Sequence, residues 1–132
     1  VGFEMFVQGF ENGDAADLDS SVFHAVWGPY VDRNEPEFGF WRIRADDGGE
    51  ADIYAGTLDK AFTGFMITHF SSGRVLDLLV EFIVAADAVV MPVGCPTLLA
   101  HADQQRHLPE EIRAGAVVVR EGTDVERVLA EN

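Results

Sequence analysis

The chain has a single cysteine, a single lysine, and nine basic residues against 23 acidic ones in a total of 132. Each shortage excludes something. Cys95 is the only thiol, so no intrachain disulfide forms, and a reducing compartment, the cytoplasm, is the expected location. No stretch approaches the roughly 18 consecutive apolar residues of a membrane-crossing helix. The opening Val1-Gly2-Phe3-Glu4-Met5 carries no basic segment of the kind that starts a secretory leader, so none is expected. A net charge of −14 repels phosphate backbones and anionic lipid, which argues against nucleic acid and membrane as partners.

What is present is a well-supplied core. Hydrophobic residues make up 48% of the chain and include ten Phe, which excludes disorder. A chain of this length buries about two-thirds of its unfolded surface, enough for one α+β domain over residues 1–132 without a metal or a disulfide. The charge is uneven. Residues 1–59 hold 13 acids against three Arg, and residues 60–132 hold ten against six basic residues. The acids gather at 11–19, 32–37 and 46–52, all read as loops: either solvated turns, or a field that draws in a basic partner.

Hydrophobic periodicity predicts the order β-α-β-β-β-α-β-α-β-α. A strand at 3–8 turns Phe3, Met5 and Val7 to one side, and Asp19 or Ser20 caps a helix ending near Trp27. Strands follow at 38–45, 51–55 and 63–70. Ten of the 13 residues from Arg74 to Ala86 are apolar, which marks a helix covered almost all round, either a central element or the seam of a homodimer. Further strands at 88–91 and 116–119 flank a short helix after Pro109 and suit a parallel βαβ unit. Thr123 and Glu126 form a capping box for the last helix. The expected architecture is a mixed sheet, antiparallel in its N-terminal part, with helices mainly on one face.

In the first hairpin, pairing Ile43 with Ile53 leaves a three-residue turn, 47–49, with Gly49 left-handed. The opposite sheet face then carries Phe38, Phe40, Arg42, Arg44, Asp52 and Tyr54, an aromatic and guanidinium surface suited to recognition unless a second layer covers it.

Few constellations suggest chemistry. Cys95, with His101 or His107 as base, is a candidate nucleophile, weighed against an inert buried thiol. The Cys95-x5-His101-x5-His107 spacing matches no normal zinc site, so no metal and no cofactor is expected. Ser72 and Arg74 at the start of the long helix form a candidate anion site, weighed against ordinary capping by serine.

The opening Phe3-Glu4-Met5-Phe6-Val7-Gln8-Gly9-Phe10-Glu11-Asn12-Gly13, with Phe40-Trp41, Asp52-Ile53-Tyr54 and His107-Leu108-Pro109 further on, resembles small acidic single-domain proteins of high-GC bacteria that begin with a similar strand and FENG turn. The resemblance implies a bacterial cytoplasmic domain and carries over no activity or site residue. The expected function is a protein-binding, inhibitor-type module for a basic partner. The alternatives are a small enzyme built on Cys95 or a small-molecule-binding domain.

Overall fold

A computed structural model describes residues 3–56 and 58–132; Val1 and Gly2, at the head of the segment read for a leader, lie outside the described residues. The elements are β1 (Glu4–Glu11), β2 (Asp14–Ala16), β3 (Leu18–Asp19), α1 (Ser20–Trp27), β4 (Val31–Glu35), β5 (Phe40–Arg44), β6 (Glu50–Tyr54), β7 (Ala61–Phe62), β8 (Gly64–Thr68), α2 (Arg74–Ala86), β9 (Val89–Pro92), β10 (Leu98–Leu99), α3 (Glu110–Arg113), β11 (Val117–Val118) and α4 (Gly122–Ala130). The fold is α+β. Its main sheet runs β11-β10-β9-β1-β8-β6-β5-β4, with β2 paired to β1, and a small β3–β7 ladder stands apart. Among the described residues every pairing is antiparallel except β10 with β11.

Alternation along the strands divides the sheet into two faces. Met5, Val7, Trp41, Ile43, Ile53, Phe65 and Ile67 point to one side and meet Phe23 and Trp27 of α1 and Leu76, Leu79, Phe82 and Ile83 of α2 in one core. Phe23 sits edge-on to Trp41, Phe62, Phe65 and Phe82, the preferred arrangement of aromatic quadrupoles. α2 is the central helix, flanked by α1 and α4. On the other face, at the β9-β10-β11 end, Leu108 and Ile112 cover Val89, Leu99, Val118 and Phe10 in a second, smaller cluster. Helices therefore lie mainly, not wholly, on one side.

Several local expectations are corrected. The hairpin pairs Trp41 with Ile53 and Ile43 with Ala51, a register two residues from the Ile43–Ile53 pairing. The turn is consequently five residues, 45–49, and the left-handed glycine is Gly48 (φ 86°) rather than Gly49. This register sets Arg42 opposite Asp52 and Arg44 opposite Glu50, so each guanidinium faces a carboxylate. Asp47, in the middle of this turn, holds the start of α2. Two of the acidic stretches read as loops are largely strand: 11–19 supplies β2 and β3, and 32–35, within the stretch 32–37, lies in the edge strand β4, whose Asp, Arg and Glu side chains discourage further pairing. Phe38 belongs to a 3-10 turn, Pro36–Phe38, ahead of β5. The parallel crossover starts from β10, a strand not anticipated, so β9 and β11 run antiparallel to one another. Finally, α4 begins two residues earlier than expected: Glu121 and Asp124 make its capping box.

Candidate functional site

The face turned away from α1, α2 and α4 is built by strict register. Phe40 lies opposite Tyr54, Tyr54 opposite Met66, Met66 opposite Phe6, and Phe6 opposite Met91. Five large apolar side chains thus cross β5, β6, β8, β1 and β9 in one row. The Phe40 and Tyr54 rings are 5.2 Å apart. Phe6 remains 44% exposed and Tyr54 41%, although a buried-strand position would bring either near zero. Phe38, 73% exposed, stands in the turn that enters this face. The sequence reading placed Phe38, Phe40, Arg42, Arg44, Asp52 and Tyr54 on a common face, and the strands do so for all but Phe38, which precedes β5. It missed Phe6, Met66 and Met91. Assigning Met5 and Val7 to the core already turned Phe6 outward, and that signal was sufficient to find it.

Beside the apolar row runs a polar one, Arg33–Arg42–Asp52–Thr68–Glu4, again strand by strand. Asp52 is 7% exposed. One carboxylate oxygen accepts from Arg42 Nε; the other is 3.0 Å from His69 Nδ1, which donates to it. The hydrogen bond to Asp52 raises the Arg42 pKa further above its ordinary value. Arg42 and Arg44 share Glu50, at 3.5 and 3.2 Å, and Arg33 pairs with Glu35 at 2.9 Å. His69 follows β8 in the left-handed region, φ 50°, with its imidazole largely in solvent. A histidine is among the few non-glycine residues found there, through its local hydrogen bonding.

The other candidates are dispersed. Cys95 lies in the β9–β10 turn, its amide bonded to the Pro92 carbonyl, and burial pushes its thiol pKa up, away from the thiolate a nucleophile needs. His101 lies beyond the opposite end of that hairpin with its Nε2 3.1 Å from Asp87. The length of β9, roughly 13 Å at ~3.3 Å per residue, separates the two. His107 Nδ1 accepts the Asn12 amide, which ties the β1 end to the crossover. Among the described residues no His, Cys, Asp or Glu group has a metal-binding arrangement.

The anion site is taken by the protein itself. Asp47 Oδ2 accepts the Arg74 amide at 2.9 Å, in place of an external anion or a serine cap. Ser71 instead bonds the Glu50 amide through its hydroxyl, and the Arg74 side chain reaches Glu81 and the Tyr30 hydroxyl. The Tyr30 and Glu81 contacts raise the Arg74 pKa. Ser72 makes no such contact and is exposed. No helix among the described residues is long and apolar enough to cross a membrane. No protein-family model, curated protein or solved structure matches the chain.

Proposed function

We propose that the chain is a protein-binding module of inhibitor type, which engages a basic partner through the uncovered face of its main sheet and acts in the bacterial cytoplasm. The observation that carries this reading is the in-register row from Phe40 to Met91, which leaves aromatic rings in water where a monomer gains nothing by exposing them. An aromatic and methionine centre with an arginine-rich rim is the composition of protein interfaces. The basic character of the partner follows from charge: a surface of −14 attracts a cation-rich protein and repels an acidic one.

The test compares affinity capture by the wild-type chain and by a Phe40→Ser/Tyr54→Ser variant, at about 0.1 M and about 1 M salt, where the Debye length is about 10 Å and about 3 Å. The expected result is a basic protein retained by the wild type at the lower salt, and several-fold less by the variant or at the higher salt. Equal retention by both chains would remove the face from the reading.

A further inference from the structure

The apolar row is not flat. Between Phe6, Tyr54 and Met66 it dips over Thr63 and Gly64 into a depression of about 270 Å³, with Gln8 on its rim. The depression has a structural cause. A methyl group on Gly64 would lie 2.3 Å from the Val7 carbonyl oxygen, so β8 and β1 close only with glycine there, and the face lacks one side chain at that point. Its walls are two partly exposed rings and a thioether, surfaces that accept a ring or a sulfur equally well.

Among the described residues no charged side chain lines the depression itself; the charge stands beyond its Phe6–Met66 wall. Glu4 lies on the same face two residues before Phe6, exposed, opposite Thr68. The carboxylates of Glu35, Glu50 and Asp52 on this face are already held by Arg33, Arg42 and Arg44. Glu4 takes part in no ion pair among the described residues. The ring faces of Phe6 and Tyr54 favour a cation as well.

Resting on the reading of this face as the docking surface, we propose that the depression receives one aromatic or thioether side chain of the basic partner while Glu4 pairs with a lysine or arginine next to that side chain. The recognised feature is thus a basic-apolar-basic segment, the apolar residue serving as anchor and the cation fixing its approach.

Three capped tripeptides serve as probes: Lys-Trp-Lys, Lys-Ala-Lys and Glu-Trp-Glu. Each is titrated into the full chain and followed by amide and methionine-methyl NMR shifts. The expected result is that Lys-Trp-Lys moves the Phe6, Tyr54 and Met66 resonances at several-fold lower concentration than the other two. Glu4→Gln should weaken it several-fold, and the distant Glu131→Gln should not. Both substitutions are of exposed residues, and unchanged spectra elsewhere verify the fold. If Lys-Trp-Lys reaches the face but ignores Glu4→Gln, or if either control peptide equals it there, the anchor-and-pair proposal fails and the docking face stands. If the basic peptides shift only the acidic loops, both fail.

Discussion

One carboxylate, that of Asp47, joins two parts of the chain 27 residues apart. Its Oδ1 accepts the Gly49 amide at 2.8 Å and shapes the hairpin turn; its Oδ2 accepts the first amide of α2. The Arg74 amide, then the Gly49 amide, hold its pKa below the ordinary aspartate value. A group lowered in this way stabilises the fold above its unfolded pKa of about 3.9, and the contribution disappears as pH falls through the folded value. Asp47→Asn should therefore be less stable than wild type at neutral pH, with the gap closing below about pH 4. Urea melts across that range check it, and a gap that persists undiminished into acid would assign the effect to shape rather than charge. Ile53 tests the core in the same residue-by-residue way. It is fully buried among Trp41, Ile67 and α2, so Ile53→Ala should cost about 2–5 kcal/mol in denaturant unfolding. A loss under about 0.5 kcal/mol, as at a surface site, would contradict its place in the core.

At the scale of elements, legibility followed how much of the stabilising information was local. α2 was read to its ends because ten of its 13 residues are apolar, but it is not covered all round: seven of the ten are buried, whereas Val84 and Ala85 are exposed. The side chains of β5 and β6 were assigned to the right faces, but their register was not, because a two-residue slip preserves the alternation. What separates the two registers is non-local: Asp47 reaching Arg74, and Ser71 bonding Glu50 through both its amide and its hydroxyl. β4 escaped notice because an edge strand protected by charge has the composition of a loop. The two residues of β10 are too few to show a period at all. The candidate face shared this limit: its β5–β6 half was legible within one hairpin, but Met66, Met91 and Glu4 join it only through strand order. The α2–α4 junction gives an element-scale prediction. Gly122 donates its amide to Asp77 Oδ1 at 2.8 Å, and a methyl there would sit 2.8 Å from the Asp77 amide nitrogen. Gly122→Ala should lift α4 from α2 and cost roughly 1–3 kcal/mol, although alanine is the better helix former. A neutral or stabilising result would show that the helices separate without loss.

At the scale of the molecule, the same charge should act on folding and on docking with opposite signs. Asp14, Asp17, Glu37 and Asp59 are exposed and take part in no ion pair among the described residues, so their charge adds to the repulsion within the acidic surface. Repulsion within a −14 surface destabilises the compact state and is screened as the Debye length falls from about 30 Å at 0.01 M salt to about 10 Å at 0.1 M. The melting temperature of the isolated chain should therefore rise over that range. Replacing the four residues by Asn and Gln should raise it at low salt and flatten its dependence on salt. Association with a cationic protein runs the other way, because the field that strains the fold also speeds encounter: k_on should fall with salt, and the four-fold variant should bind several-fold more slowly with a shallower slope. Measuring both quantities on the same pair of proteins separates a steering field from inert solvation. A melting temperature that responds to the substitutions, together with a k_on that does not, would mean that these carboxylates burden the fold without serving the partner.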